Sequence, residues 1–155
     1  MFVIDNFLPF YDDVLIRSKL HKYVNAVEYR ALTATQDLFR GERTVNLVNI
    51  AGRLQQYIEN SLHIRLSLLF IHRHPPLPGI TGRMHRDEGF QTAGVIYLKG
   101  GPGCGTVVED KLVDFKENRL ITYDAKKLHA PEGFTTDRLV ITFFSYDTLP
   151  ETLPN

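Results

Sequence analysis

Two side chains capable of metal-ligand or acid–base chemistry stand two positions apart in the stretch MHRDEGFQTAGVIYL. They are His85 and Asp87. Residues i and i+2 of a strand point to the same face, so on a strand the imidazole and the carboxylate would converge while Arg86 points away. One imidazole nitrogen and one carboxylate oxygen are two of the three donors of a 2-His-1-carboxylate metal site. The triplet is a weak signal by itself, and the site needs a second histidine from elsewhere.

A second group of informative residues lies near the C-terminus, in LHAPEGFTTDRLVITFFSYD. It contains His129, and Arg138 follows nine positions later at the start of a β-rich run that extends to Tyr146. The chain therefore has a His-x-Asp triplet, then a distal histidine, then an arginine that begins a strand. This ordered set is more specific than any of its parts.

The order of these residues resembles the Fe(II)/2-oxoglutarate-dependent oxygenases, most closely their prolyl-4-hydroxylase-like branch. In that branch the strand after the His-x-Asp strand ends in Tyr-Leu, here Tyr97-Leu98, and the last core strand begins with Arg and continues to Thr, here Arg138-Leu139-Val140-Ile141-Thr142. The opening VIDNFLPFYDD is also similar to the start of such domains. The resemblance covers most of the chain and implies a single oxygenase domain over residues 1–155.

The resemblance also implies a role for each of these residues. The metal ligands and catalytic residues would be His85, Asp87 and His129, and the residues that bind the co-substrate would be Arg138, Tyr97 and Thr142. An arginine suits the far carboxylate of 2-oxoglutarate because its guanidinium is always charged and offers a planar fork. The implied cofactors are Fe(II) and 2-oxoglutarate, and the implied reaction uses O2 to hydroxylate a C–H bond, with release of succinate and CO2.

Two departures from the family pattern bear on the primary substrate. The segment His72–Arg83 lacks the tyrosine expected of a prolyl hydroxylase, so a prolyl substrate is not assumed. Position 144 is Phe144, where the nucleobase-demethylating branch has a second arginine. Eighteen basic and eighteen acidic residues also cancel, so a nucleic-acid substrate is not expected. A protein side chain or a small molecule is left as the substrate.

Two other functions stay open at this point. The chain could be a non-catalytic jelly-roll module that only binds a metal, or a cupin-like metalloenzyme that works without 2-oxoglutarate. Arg138 argues against the cupin because such an enzyme has no need of a buried arginine there. A His-x-His pair, His72 and His74, could also bind a metal, but it stands beside three prolines and the family pattern does not use it.

Composition indicates an ordinary soluble domain. The chain has 155 residues, 43% of them hydrophobic and 23% charged, which is typical of one globular domain. A single cysteine, Cys104, excludes an intrachain disulfide. No apolar stretch is long enough to cross a membrane and the N-terminus lacks a basic leader, so we expect a cytoplasmic protein with no membrane partner.

Hydrophobic periodicity predicts a mainly β fold with N-terminal helices. Amphipathic helices are expected over residues 11–28, with Asp12 or Asp13 as the cap, and over 50–62, with Asn49 as the cap. A long loop over a binding cleft is expected at residues 29–43 and another loop at 73–83. Strands are predicted at 2–4, 44–48, 64–71, 92–98, 106–108, 118–123, 128–130 and 138–146. Closely spaced strands with two helices favour a jelly roll, and the family resemblance specifies a double-stranded β-helix.

Overall fold

The computed structural model describes residues 1–27, 40–77, 79 and 81–153. Two helices lie in the first 62 residues, α1 (Tyr11–Ser18) and α2 (Gly52–Leu62). The described residues also form ten strands: β1 (Phe2–Ile4), β2 (Val24–Val27), β3 (Arg40–Arg43), β4 (Leu68–His74), β5 (Thr92–Lys99), β6 (Thr106–Val108), β7 (Lys111–Val113), β8 (Leu120–Asp124), β9 (His129–Pro131) and β10 (Arg138–Ser145).

The strands form two antiparallel sheets. The larger has seven strands in the order β1-β8-β5-β10-β4-β3-β2, and the smaller has three in the order β7-β6-β9. Neighbouring strands are often distant in sequence; β10, for example, pairs with β4 on one side and β5 on the other. The predicted mainly β class is confirmed as a β-sandwich with two helices. The finer assignment as a double-stranded β-helix stays a prediction.

The first helix is shorter than its hydrophobic periodicity predicted. It ends at Ser18, where the Tyr23 hydroxyl donates a hydrogen bond of 2.6 Å to the Ser18 carbonyl. From Val24 the chain instead pairs with β3, because tertiary strand pairing overrides a weak helical periodicity. No side chain caps α1; Asp12 and Asp13 lie in its first turn, where they favour the positive end of the helix dipole.

Several other boundaries also differ from the predicted ones. The strand expected at residues 44–48 lies at 40–43, and the core strand expected at 64–71 runs from 68 to 74, so both histidines of the His-x-His pair belong to it. Helix α2 begins at Gly52 rather than residue 50 and has no side-chain cap. The short strand β7 was not predicted. Residues 28–39 of the first predicted helix and loop lie outside the described residues, as do positions 78 and 80 of the second loop.

Each face of the larger sheet packs against a different partner. One face carries Leu69, Ile71 and Phe143 and packs against the apolar side of α2, where Leu54, Ile58 and Leu62 are buried. Burial of each such side chain contributes about 1.5–3 kcal/mol. The opposite face carries Val95, Tyr97 and Val140, which pack against Val108 and Val113 of the smaller sheet. This second, inward face also bears the polar residues described below.

A glycine on β5 allows this close packing. A Cβ at Gly94 would overlap the ring of Phe143 on the neighbouring strand. We expect Gly94→Ala to lower the free energy of unfolding by about 1–3 kcal/mol, the usual cost of overpacking a core. Urea unfolding followed by circular dichroism measures this loss. The matched control is Gly52→Ala, because nothing lies within 4 Å of a Cβ there; equal stability of the two variants would contradict the prediction.

Neither α1, with 8 residues, nor α2, with 11, is long enough to cross a membrane, and no other helix is present in the described ranges.

Candidate metal and co-substrate site

The three side chains predicted to bind a metal meet at one point in the structure. One ligand atom from each of His85, Asp87 and His129 lies within 4.8 Å of the others. Nε2 of His129 is 2.7 Å from Oδ2 of Asp87, and Nε2 of His85 is 3.6 Å from Oδ1. Asp87 and His129 are buried, whereas His85 is partly exposed. Two imidazoles and a carboxylate on one side of a point fit a divalent transition metal and leave its other side open.

A short antiparallel contact brings the two histidines together. His85 and His129 form an isolated bridge in which each backbone N–H donates to the other's carbonyl at 2.9 Å. Residues directly opposite each other in such a pair place their side chains on the same face. The backbone of Asp87, two residues after His85, is held in place because its N–H donates to the carbonyl of Ala125 at 2.9 Å. The triplet therefore lies in an extended segment with one bridge, not in the regular strand that was predicted.

Backbone carbonyls set which ring nitrogen of each histidine faces the carboxylate. Nδ1 of His85 lies 2.8 Å from the carbonyl of Arg83, and Nδ1 of His129 lies 2.7 Å from the carbonyl of Lys127. A carbonyl only accepts hydrogen bonds, so both Nδ1 atoms carry protons. Nε2 of each neutral ring is then the atom with a lone pair for a metal, the usual arrangement in which an outer hydrogen bond orients a ligand histidine.

The donor group, defined as His85, Asp87 and His129, opens into a cavity of about 260 Å³. The inward faces of two paired strands, β4 and β10, form one wall. Four cross-strand pairs on this wall line the cavity: Arg138 with His74, Val140 with His72, Thr142 with Phe70, and Phe144 with Leu68. The wall therefore changes from charged and polar at its inner end to aromatic and aliphatic at its outer end.

Arg138 lies at the inner end of this wall, as the sequence predicted, and only 3% of it is exposed. Its Nε donates to the carbonyl of Cys104 at 3.1 Å. The rings of Tyr97 and Phe134 lie 6.0 and 5.9 Å from its guanidinium carbon. A guanidinium held in an aromatic, water-poor surround interacts strongly with an anion that enters the cavity.

The two other predicted co-substrate residues are placed differently. Thr142 lines the cavity, and no described residue bonds its Oγ1. Tyr97 is completely buried, and its hydroxyl lies 2.6 Å from Oγ1 of Thr106, which does line the cavity. A direct role for Tyr97 at a carboxylate therefore stays a prediction, and Thr106 connects Tyr97 to the cavity wall.

Both histidines of the His-x-His pair, which were not assigned to the predicted site, line the cavity. His74 is 93% buried opposite Arg138, and its Nδ1 has no hydrogen-bond partner among the described residues. Burial, together with the positive charge of Arg138, lowers the pKa of His74 to about 3, so the ring is neutral at physiological pH. The alternation of β4 would have placed His74 on the same face as Phe70 and His72, had the strand been extended past Ile71.

The chain is similar to known proteins in structure rather than in sequence. No family model matches the sequence, and no curated protein matches it. Among solved structures, a prolyl hydroxylase from Trichoplax adhaerens, in complex with a hypoxia-inducible factor peptide, superimposes with a TM-score of 0.63 at 14% identity, over 94% of this chain and 83% of that chain. The chain therefore shares its overall fold with this enzyme.

A second structure shares the prolyl hydroxylase fold. The viral collagen prolyl hydroxylase of Paramecium bursaria Chlorella virus 1, in complex with 2-oxoglutarate, has a TM-score of 0.56 at 14% identity, over 92% of this chain and 93% of that chain. A predicted oxalate decarboxylase from Thermotoga maritima has a TM-score of 0.55 at 17% identity, over 83% of this chain and 96% of that chain. At these identities the likeness concerns the fold, so the chemistry has to be argued from the residues of the site.

Proposed function

We propose that residues 1–155 form a single oxygenase domain that uses Fe(II), O2 and 2-oxoglutarate to hydroxylate a C–H bond. The observation that carries this proposal is the presence of two sites in one cavity, the His85–Asp87–His129 donor group and the buried guanidinium of Arg138. A metal site alone would not need a buried cation in the same cavity. A co-substrate with a chelating end and a distant carboxylate needs both.

Two imidazoles and one carboxylate are the donor set typical of non-haem Fe(II) enzymes, so His85, Asp87 and His129 would hold the metal on one side. When bound, Fe(II) and 2-oxoglutarate would supply an O2-dependent oxidation that converts C–H to C–OH and 2-oxoglutarate to succinate and CO2. The protein contributes the geometry. The bridge between His85 and His129 and the two Nδ1 hydrogen bonds hold the donors in place before a metal arrives.

The inner end of the cavity would receive the far carboxylate of 2-oxoglutarate. Arg138 supplies charge and a planar fork there. Thr142 lies four positions further along the same face of β10, opposite Phe70, and we retain it as a co-substrate residue because it lines the cavity and its hydroxyl has no partner among the described residues. We retain Tyr97 as a co-substrate residue that acts at the same carboxylate, in contact with Thr106. A virus enzyme that shares the fold was solved with 2-oxoglutarate, which supports 2-oxoglutarate as the co-substrate proposed here.

His74 is expected to add a hydrogen bond to the same carboxylate. Its neutral ring can donate from Nδ1, which has no partner among the described residues; leaving such a buried group unpaired costs about 1–3 kcal/mol. We expect His74→Phe to raise the dissociation constant of 2-oxoglutarate about five- to tenfold with metal binding unchanged. Isothermal titration of Mn(II) into the metal-free protein measures the metal constant, and titration of 2-oxoglutarate into the Mn(II)-loaded protein measures the co-substrate constant. His72→Phe, two residues away on the same face, is the control, and equal effects of the two variants would contradict this role.

Turnover separates the proposed oxygenase from the two alternatives. Purified protein with Fe(II) under air is expected to convert 2-oxoglutarate to succinate, slowly without its primary substrate and faster with it. A cupin-like metalloenzyme would bind the metal and show no interaction with 2-oxoglutarate. A non-catalytic metal-binding module would bind the metal and release no succinate under air with any substrate. The primary substrate is proposed to be a protein side chain or a small molecule, and no nucleic acid is proposed.

A further inference from the structure

We infer that the primary substrate is an organic anion with an apolar body, and that Arg43 recognises its negative charge. The inference rests on the proposed function and adds the substrate class. It derives from the outer half of the cavity, defined here as the part lined by Leu68, Phe70, Phe90 and Phe144 together with Arg43.

The length of the cavity wall leaves the outer half for a second molecule. Arg138 and Phe144 lie at the two ends of the β10 face that lines the cavity. Six residues of strand separate them, which corresponds to about 20 Å. A five-carbon dicarboxylate anchored at Arg138 is much shorter than this wall. The remaining part, beside the donor group, is where a substrate must sit to be oxidised.

The outer half is largely apolar. The ring of Phe90 packs against Phe144 at 5.2 Å and against Tyr146 at 4.9 Å. Across the cavity wall, Phe70 lies opposite Thr142 in the register of the two strands. Aromatic and aliphatic walls of this kind bind an apolar body, whereas the few polar groups among them determine which ligand is accepted.

Arg43 is the polar group that distinguishes this region. Its guanidinium carbon lies 4.5 Å from the centre of the Phe70 ring, and Arg43 lines the cavity. Among the described residues no carboxylate pairs with it, whereas Arg73 bonds Glu42 at 2.9 Å and Arg119 bonds Asp5 at 2.6 Å. A guanidinium stacked on an aromatic ring keeps its edge available for a carboxylate or phosphate.

The charged residues around the whole cavity also favour an anionic substrate. Asp87 is the only acidic residue among the described residues that line it, and the metal would neutralise that charge. Three arginines line it: Arg43, Arg83 and Arg138. A cationic substrate would meet like charges, with no acid other than Asp87 among the described lining residues, whereas an anion would find Arg43 next to the apolar wall. The cavity therefore selects for negative charge and against positive charge.

Three probes of equal length test this inference: 3-phenylpropionate, its amide 3-phenylpropanamide, and the cation 3-phenylpropylamine. Each is titrated calorimetrically into protein loaded with Mn(II) and saturated with 2-oxoglutarate. Relaxation of the probe protons by Mn(II) confirms binding near the metal. We expect the carboxylate to bind at least about tenfold tighter than the amide, and the amine to bind weakest. In Arg43→Gln the preference for the carboxylate is expected to fall below about twofold, with the binding of Mn(II) and 2-oxoglutarate unchanged.

The matched control is Arg53→Gln. Arg53 also lies over an aromatic ring, that of Phe10 at 4.1 Å, but it is on α2 away from the cavity. This variant should keep the wild-type preference. Equal binding of carboxylate and amide by the wild type, no carboxylate binding below about 10 mM, or an unchanged preference in Arg43→Gln would each overturn the inference. Failure of the proposed function looks different: the Mn(II)-loaded wild type would bind no 2-oxoglutarate, and the probes would then be compared on the metal-loaded protein alone.

Discussion

Replacing Asp87 with Asn is expected to weaken the binding of Fe(II) or Mn(II) at least about a hundredfold and to abolish succinate formation. Asn keeps the shape of the side chain and removes its charge, so the packing of this 3% exposed residue changes little. The lost interaction is that of a divalent cation with the only anion of the donor group. Its effect is large because the site is buried and poorly screened by solvent.

Anaerobic calorimetry with Fe(II), or titration with Mn(II) followed by electron paramagnetic resonance, measures this loss. Glu88→Gln is the control: it removes one negative charge from the adjacent position, where the side chain is exposed. If Asp87→Asn and Glu88→Gln bound the metal equally well, the donor group would not be the metal site. Circular dichroism and thermal unfolding confirm that both variants fold.

Replacing Arg138 with Met is expected to raise the dissociation constant of 2-oxoglutarate about a hundredfold. A charge-assisted, two-point hydrogen bond in a dry cavity is among the stronger polar interactions, and Met fills similar space without charge. Arg138→Lys restores charge but not the fork, so we expect an intermediate loss of about tenfold. Calorimetry on the Mn(II)-loaded wild type, Arg138→Met and Arg138→Lys gives the three dissociation constants of 2-oxoglutarate.

An analogue of 2-oxoglutarate that lacks the far carboxylate tests whether Arg138 acts on that group. The acid 2-oxopentanoate has the same chain length as 2-oxoglutarate and the same chelating end, but no second carboxylate. Wild type and Arg138→Met should therefore bind 2-oxopentanoate with equal affinity. If the Met variant lost affinity for both acids to the same extent, the effect would come from damage to the fold, since the guanidinium also bonds the Cys104 carbonyl.

Some of the site could be predicted from the sequence because its chemistry depends on residue types in order. His85, Asp87 and His129 are a recognisable donor set, and an arginine at the start of a β-rich run is a recognisable anion ligand. The resemblance of their order to an oxygenase family predicted that they serve one cavity, and all four line the cavity of the structure. Strands with strong β-branched content, such as β5 and β10, were likewise placed to within one residue.

Other features depended on contacts between distant parts of the chain. The segment after Ser18 continues the helical periodicity of α1, yet it forms β2 because β3 is available to pair with it. His74 stands beside prolines and was assigned to a loop, but pairing with Arg138 extends β4 through it. Arg43 carried no signal of function in the sequence, since its environment consists of Phe70 on the next strand and a cavity in which Asp87 is the only acidic residue among the described lining residues.

The residue types and their order establish the chemistry available to this protein: two imidazoles, a carboxylate and an arginine in a mainly β chain, in an order that resembles a known oxygenase family. The further groups in their cavity, and the charge that faces a substrate, became evident from the folded chain alone. This is because residue type sets what an atom can bind, whereas strand pairing sets which atoms lie within a few ångströms of one another. Pairing of β4 with β10 and β3 brings His74 and Arg43 to the cavity, and no local pattern encodes that pairing.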